Sequence, residues 1–310
     1  MTNVRCCVCD APIEGEVKTL GGRHFCERHY QRVTQDRKGV WSSTLVLVAA
    51  LVIFALAVSV LAPALAASLR GGGLIVAGAV LALIPAVLWL AIFYLQDQLE
   101  PEPKGYVLGV FLLGALLASA VGQPLINGFF RVNEWASDSL GLKLAAGILI
   151  VGATQEFLKY SAVRYSVFGS QEFDARVDGI IYGAAAGLGY ATMLNINYVI
   201  GSGGVDLGIG ALRIVVAALA HASFAGVTGY FLGRAKFENK GPLWLPGGLL
   251  LASVLNGVVT VALGAISRSG LQSTPVNGLI LAAAVAAITF GALFTIIRRS
   301  NQAVLAGAAG

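Results

Sequence analysis

All four cysteines and two of the three histidines lie within the first 29 residues of this 310-residue sequence, in a spacing that suits a metal ion. A C-x2-C pair is followed, after sixteen residues, by a C-x2-H pair. Two such pairs at this separation are typical of a tetrahedral structural zinc site. Cys7 and His24 are alternative ligands, so the fourth ligand stays open, and free thiols without a metal are the other interpretation. The expected zinc ligands are Cys6, Cys9, Cys26 and His29.

The segment around the second pair gives this site a structural context. Residues 17–30 resemble half of a LIM-type or treble-clef zinc finger, in which the metal is structural and the finger often binds a protein. About forty residues bury too little apolar area to fold alone, so a metal would supply the missing stability. We therefore predict a cytosolic zinc module over residues 1–40, with a cytosolic protein as its expected partner.

A second group of polar residues interrupts the fourth apolar segment of the chain. Gln155, Glu156 and Lys159 lie within five residues and share one face of a helix. A charged side chain at the centre of a bilayer costs about 2.5–3.5 kcal/mol on insertion scales. Either the two charges form an intrahelical ion pair and Lys159 reaches towards the cytoplasmic surface, or the residues form a polar site inside the bundle.

Three further polar residues on later segments favour the interior site. Asn195 lies in the fifth apolar segment, His221 in the sixth and Asn256 in the seventh. A lone histidine in a membrane helix is often only a hydrogen bond between helices. Facing Glu156, however, His221 becomes a candidate general base or metal ligand.

The elements that must position these residues are membrane helices. Hydrophobic residues make up 57% of the chain and charged residues 12%, about half the charged share of a soluble domain. This excludes a soluble enzyme, a disordered chain and a fibrous repeat. Eight apolar segments are long enough to cross about 30 Å of hydrocarbon as helices. They are Thr44–Leu69, Leu74–Gln96, Tyr106–Phe130, Leu142–Phe168, Val177–Ile200, Leu207–Leu232, Leu243–Ile266 and Gly278–Ile297.

The predicted fold is an all-α, polytopic membrane helix bundle of about eight transmembrane helices in a lipid bilayer. It spans residues 41–300 and ends in a short tail over 301–310. Glycines at 179, 183 and 187 recur every four residues, a stripe that lets a neighbouring helix approach closely. Close packing alone explains such a stripe, without any site.

The distribution of basic residues predicts the orientation of the bundle. With the N-terminus inside, the inner segments hold fifteen of the 21 basic residues and the outer loops five, while Lys159 lies within a span. Cytoplasmic loops carry such an excess. We expect both termini in the cytoplasm, where reducing conditions favour zinc over disulfides. The net charge of +5 thus reflects membrane orientation, and no nucleic acid partner is expected.

Several motifs, in the same order, resemble the PrsW family of intramembrane proteases over residues 75–265. The resemblance implies a multi-helix protease of a prokaryotic plasma membrane. Its substrate would be a membrane-embedded protein, such as a single-pass anti-sigma factor. The motifs are Ile84–Leu90, Asp97, Glu100–Lys104, Gln155–Lys159, Glu172–Asp174, Val177–Tyr190 and Ala220–His221.

The resemblance also implies site residues. The family uses a Glu-Glu motif, a glutamate before an asparagine in the next helix and histidines in later helices, and either a metal or a glutamate base activates water. Matched onto this chain, the catalytic residues are Glu156 and His221, with Asn195 and Gln155 polarising the scissile carbonyl.

This sequence departs from that pattern at three positions. Gln155, Leu194 and Asn256 stand where the family has two glutamates and a histidine. A neutral amide does not take a proton from water near neutral pH, and a catalytic zinc usually has three protein ligands. The sequence therefore leaves three functions open: an active peptidase, an inactive protein that binds and regulates membrane partners, and an ion or proton pathway.

Overall fold

The structure is a computed structural model that describes residues 4–9, 11–13, 15–20, 23–34, 38–68, 72–96, 101–136, 139–201, 207–269 and 275–307. Within these ranges the chain forms a bundle of long helices preceded by a small hairpin. The elements are β1 Lys18–Leu20, β2 Arg23–Phe25, α1 Glu27–Thr34, α2 Lys38–Ser68, α3 Gly72–Gln96, α4 Lys104–Leu117, α5 Val132–Trp135, α6 Leu140–Ala146, α7 Ala153–Ser166, α8 Asp178–Gly201, α9 Leu207–Phe237, α10 Trp244–Ser269 and α11 Pro275–Gly307.

Seven helices of the described chain are long and apolar enough to cross a membrane, which confirms the predicted all-α membrane bundle. Apolar helices suit a bilayer because each one satisfies its own backbone hydrogen bonds. The first predicted span lies in α2, whose segment Ser43–Val58 is apolar but shorter. Two positions of the family motifs, Asp97 and Glu100, lie outside the described residues. The seven spans are Ile75–Gln96, Lys104–Trp135, Leu140–Ser166, Asp178–Gly201, Gly210–Phe237, Trp244–Gly264 and Asn277–Leu305.

Helices α8 and α9 are the centre of the bundle. In their most apolar stretches 83% and 89% of the residues are buried, against 33–44% in the other spans. The predicted close approach along the small-residue stripe of α8 is confirmed. A Cβ at Gly183 would meet the carbonyl oxygen of Ala225, and one at Gly187 would meet that of His221. The absence of a side chain at Gly187 therefore allows the backbone of His221 to pack against α8.

The span that carries Glu156 is wider than an α-helix just before that residue. A π-helical turn over Gly147–Gly152 connects α6 to α7. Its glycines lie directly on α10, because a Cβ at Gly152 would meet the carbonyl oxygen of Ser253. This contact places Asn256 of α10 beside the first turn of α7. Two further π-helical turns, Ala118–Gly122 and Pro124–Phe129, continue α4.

The N-terminal hairpin packs onto the end of the bundle. Strands β1 and β2 are antiparallel, and Leu20 and Phe25 bury almost all of their surface. They share a small core with Val304 and Leu305 of α11. The first and last described parts of the chain therefore lie at the same end of the bundle, and the core of the hairpin is completed by α11.

Candidate active site

Side chains from three helices meet in a polar cluster inside the bundle, formed by Gln155, Glu156, Lys159, His221 and Asn256. Lys159 Nζ, on α7, donates to Glu156 Oε1 at 2.6 Å and contacts Nδ1 of His221, on α9, at 2.8 Å. The side chains of Lys159 and Glu156 are both 0% exposed. The structure thus brings the predicted acid and imidazole together, with an ammonium group between them.

The sequence left open whether Lys159 reaches the membrane surface or belongs to a polar site inside the bundle, and the position of its ammonium group decides between the two. Lys159 forms the intrahelical ion pair with Glu156, yet it turns into the bundle and does not reach the membrane surface. An ammonium has only donors, so His221 Nδ1 must accept its hydrogen bond. The proton of the neutral imidazole is then on Nε2. His221 therefore has one N–H donor left for another group.

Two amides complete the polar cluster. Asn256 Nδ2 donates to Glu156 Oε1 at 2.6 Å and to Gln155 Oε1 at 3.1 Å. Its own oxygen accepts from Thr260 Oγ1 at 3.0 Å. The orientation of Asn256 is therefore fixed by three hydrogen bonds, and it holds the carboxylate of Glu156 in place.

Asn195, the fourth residue predicted for the site, is held by a different contact. It is buried on α8, and its Nδ2 donates to the carbonyl oxygen of Ile214 on α9 at 3.2 Å. Its Oδ1 is buried without a hydrogen-bond partner. Asn195 thus ties α8 to α9, and its free oxygen remains available to another group.

Tyr190 belongs to the site, although the sequence did not single it out as a site residue. Lys159 Nζ lies 5.3 Å from the centroid of the Tyr190 ring, and the imidazole of His221 lies 6.1 Å from it. The hydroxyl of Tyr190 is buried and has no hydrogen-bond partner within the described ranges. The feature of the sequence that could have indicated Tyr190 is a large side chain with a polar hydroxyl within a run of glycine and alanine residues.

A cavity of about 190 Å³ lies beside the cluster, and Gln155 is the cluster residue that lines it. A water molecule occupies about 30 Å³ in the liquid, so the cavity is large enough for several. Glu156 Oε2, like the hydroxyl of Tyr190, is buried without a hydrogen-bond partner among the described residues. Unpartnered buried oxygens are costly, so both atoms are free to bind water or a substrate. The polar residues lining the cavity are Gln123, Asn127, Asn133, Gln155, Tyr190 and Thr260.

The polar cluster does not suit a catalytic metal ion. Zinc in such a site usually has three protein ligands, whereas this cluster offers one carboxylate and one imidazole. Glu156 Oε1 and His221 Nδ1 already contact the ammonium of Lys159, and a second cation beside it would be repelled. Across the described chain, the one group of three or more His, Cys, Asp or Glu residues able to hold a metal lies elsewhere, in the N-terminal segment.

That second group consists of the four residues predicted as zinc ligands. The ligand atoms of Cys6, Cys9, Cys26 and His29 all lie within 4.8 Å of one another, and Cys26 Sγ is 3.1 Å from His29 Nδ1. Sulfur and nitrogen ligands at about 2.0–2.3 Å from zinc need separations of this size. The arrangement fits a closed structural site without an open coordination position.

The environment of the thiols also suits a metal. Burial works against ionisation of Cys6, but hydrogen bonds from nearby backbone amides, first among them Cys26, lower the pKa of its thiol to about 6. The two alternative zinc ligands, Cys7 and His24, make other contacts. Cys7 packs against the core of the hairpin, and His24 is exposed with Nδ1 3.3 Å from Thr19 Oγ1.

Comparison with known proteins identifies the family of this chain. A family profile described as PrsW family intramembrane metalloprotease matches residues 102–290. The chain is 35% identical over 187 residues to Protease PrsW of Geobacillus kaustophilus, covering 60% of this chain and 79% of that protein. It is 33% identical over 186 residues to Protease PrsW of Bacillus subtilis, covering 59% of this chain and 81% of that protein. No solved structure shows a significant match. This chain is therefore a multi-pass membrane protein that belongs to the PrsW family of intramembrane metalloproteases.

Proposed function

We propose that this protein hydrolyses a peptide bond in a membrane-embedded segment of another protein, with Glu156 as the base. The observation that supports this most directly is the buried Glu156–Lys159–His221 arrangement, in which Glu156 Oε2 has no partner. A carboxylate held by an ammonium and an amide, with one oxygen free, is equipped to accept a proton from water. The adjacent cavity, which the neighbouring Gln155 lines, would supply that water.

The chemical steps require only residues of this chain. Glu156 Oε2 takes a proton from a water molecule while the water oxygen forms a bond to the scissile carbonyl carbon. The carbon–nitrogen bond then breaks, and the proton passes from Glu156 to the leaving amine. Lys159 keeps the carboxylate ionised before the first step, and Gln155, which lines the cavity, orients the water.

The negative charge on the carbonyl oxygen needs donors, and two groups of the site qualify. His221 has its Nε2 proton free because Nδ1 is engaged by Lys159. The hydroxyl of Tyr190 has no hydrogen-bond partner among the residues that the structure describes. Removing one such donor from an enzyme typically lowers the rate about 100- to 1000-fold. Asn195 does not line the cavity, so we assign it the role of holding α8 against α9 through its hydrogen bond to Ile214.

A second candidate function is binding of a membrane segment without hydrolysis. It is favoured by the amides at Gln155 and Asn256, which stand where the family pattern has an acid and a histidine, and by Leu194. In that case the same cavity would hold the substrate, and Lys159 would neutralise Glu156 permanently.

The two functions are separated by a cleavage assay with the purified full-length protein in lipid vesicles. The probe is a synthetic single-pass transmembrane helix with a fluorophore and a quencher at its ends. The proposal expects cleavage by the native chain and at least a 100-fold slower reaction with Glu156→Gln. The matched control is Glu134→Gln, because Glu134 is a solvent-exposed glutamate outside the site. Equal cleavage by Glu156→Gln, or binding of uncleaved probe by all variants, contradicts hydrolysis by Glu156.

We propose that residues 1–40 form a structural zinc module, which is attached to a membrane domain over residues 41–300. Cys6, Cys9, Cys26 and His29 would hold one zinc ion, which stabilises the hairpin and supplies no chemistry to the cleavage. Metal analysis of the purified protein should give about one zinc per chain. Cys26→Ser should abolish it, whereas Cys7→Ser should not.

We also propose that both termini face the cytoplasm, where the module would meet a cytosolic protein. The packing of Leu20 and Phe25 against Val304 and Leu305 supports a common side for the two ends of the chain. The excess of basic residues on that side supports the cytoplasm. Labelling of single cysteines by an impermeant reagent in intact cells tests it, and labelling of both ends from outside contradicts it.

A further inference from the structure

We propose that the ammonium group of Lys159 is the resident cation of the polar cluster and occupies the place between Glu156 and His221 that a metal ion would take. The membrane part of this chain then holds no metal ion, whereas its family is described as one of metalloproteases. This inference concerns occupancy of the site, so it is independent of whether the chain hydrolyses anything.

The contacts of Lys159 are those of a fully coordinated cation. Nζ lies 2.6 Å from a carboxylate oxygen of Glu156 and 2.8 Å from Nδ1 of His221. The face of the Tyr190 ring, with its centroid at 5.3 Å, is close enough for a cation–π contact. The ammonium therefore replaces its hydration shell with one anion, one imidazole and one aromatic face.

The remaining oxygen atoms of the cluster are also engaged. The side-chain oxygen of Gln155 accepts from Asn256, and that of Asn256 accepts from Thr260. Glu156 Oε1 accepts from both Lys159 and Asn256. Among the side-chain oxygens of the cluster, Glu156 Oε2 is the one without a hydrogen-bond partner in the described part of the chain, and a single free carboxylate oxygen provides too few ligands for a metal ion.

Charge balance gives the same result. Glu156 and Lys159 are both fully buried and together carry no net charge. A divalent ion added beside them would leave an excess of two positive charges in an interior where charges are weakly screened. The site takes such an ion only if Lys159 is removed or deprotonated.

Metal analysis of the purified full-length protein tests this inference directly. The comparison is between the native chain and Cys6→Ser/Cys9→Ser, which removes the predicted zinc module site but leaves the membrane helices. We expect less than 0.1 equivalent of zinc, iron, manganese and cobalt in the cysteine variant, with an unchanged gel-filtration profile. One equivalent of metal in that variant, lost on further change of Glu156→Gln, would overturn the inference.

A double-mutant cycle tests the role of Lys159 as the partner of Glu156. Lys159→Met and Glu156→Gln should each lower the melting temperature in detergent, because each leaves the other group buried without its counter-charge. The double variant should melt above the lower of the two single variants. The matched control is Arg131→Met/Glu134→Gln, an exposed pair with the same i,i+3 spacing, which should show almost no coupling. Strictly additive shifts at the buried pair would contradict the inference.

These results are distinguishable from failure of the proposed function. If the Cys6→Ser/Cys9→Ser variant holds no metal and does not cleave the probe helix, Lys159 is supported as the resident cation and hydrolysis is refuted. If that variant holds no metal and cleaves the probe helix, both proposals are supported, and its activity should be unaffected by a chelator. A metal in the cluster refutes the role of Lys159 whether or not cleavage occurs.

Discussion

At the scale of single residues, Lys159 determines the state of its two neighbours. By donating to His221 Nδ1 it fixes which imidazole nitrogen carries the proton, and by pairing with Glu156 it makes a buried carboxylate tolerable. The cost of burying one charge alone is several kcal/mol, so neither residue would be stable in its present form without the other.

Tyr190 offers a test that separates chemistry from stability. Its hydroxyl is buried without a partner, so Tyr190→Phe should leave the melting temperature unchanged or raise it slightly. If the hydroxyl donates to the carbonyl oxygen of the substrate, cleavage of the probe helix should fall about 100-fold. Melting in detergent and initial cleavage rates measure the two effects. A stable variant with the native rate would remove Tyr190 from the proposed mechanism.

Variants of His221 also separate an effect on the cleavage rate from an effect on stability. His221→Ala removes the Nε2 donor and leaves Lys159 with one partner fewer, so we expect a cleavage rate at least 100-fold lower and a lower melting temperature. His221→Gln keeps an acceptor for Lys159, and it should recover most of the stability but little of the rate. Recovery of both by glutamine would mean that His221 serves the fold alone.

At the scale of the helices, glycine decides which polar residues meet. Helices α8 and α9 touch through backbone at Gly187, where a Cβ would meet the carbonyl oxygen of His221. The π-helical turn before α7 approaches α10 in the same way at Gly152. The first contact fixes His221 of α9 against α8, and the second places Asn256 of α10 beside Glu156 in the first turn of α7.

Gly187→Ala should therefore disturb the site although it carries no chemistry. The added methyl group forces α8 and α9 apart, which we expect to cost about 1–3 kcal/mol of unfolding free energy and to slow cleavage. The matched control is Gly109→Ala, since a Cβ at Gly109 has no neighbour within 4 Å. That variant should be as stable as the native chain. Equal behaviour of the two variants in thermal melting would show that close contact at Gly187 is not needed.

The helices also show what sequence reasoning could reach. Hydropathy was sufficient for seven of the eight predicted spans, and ligand spacing was sufficient to group Cys6, Cys9, Cys26 and His29, because both depend on residues near one another in the chain. Periodicity placed Glu156 and Lys159 on one face of a helix. It did not indicate that this face turns towards His221, because that depends on glycine contacts between helices far apart in sequence. For the same reason Tyr190 was missed.

At the scale of the whole molecule, the hairpin and the membrane bundle form one continuous structure. Arg23 of β2 makes an ion pair with Asp174, in the loop before α8. The backbone N–H of Asp174 in turn donates to Asp178 Oδ2, in the first turn of α8, at 2.7 Å. From the other side, Lys236 of α9 holds the same loop by donating to the carbonyl oxygens of Phe168 and Phe173, each at 2.6 Å. The module thus contacts the segment that leads directly into the central helix.

If the N-terminal module holds the proposed zinc ion, its loss should change this loop. Without that ion the hairpin should lose stability, and its contacts with Asp174 and with Val304 should weaken. We expect Cys26→Ser to speed hydrogen–deuterium exchange at residues 168–177 and 300–305, with Cys7→Ser as the control that retains the metal site. Exchange in the centre of α8 should stay slow, because that helix is buried by its neighbours along most of its length. If Cys26→Ser changes exchange only within the first 34 residues, the contact between the module and the loop before α8 does not stabilise that loop.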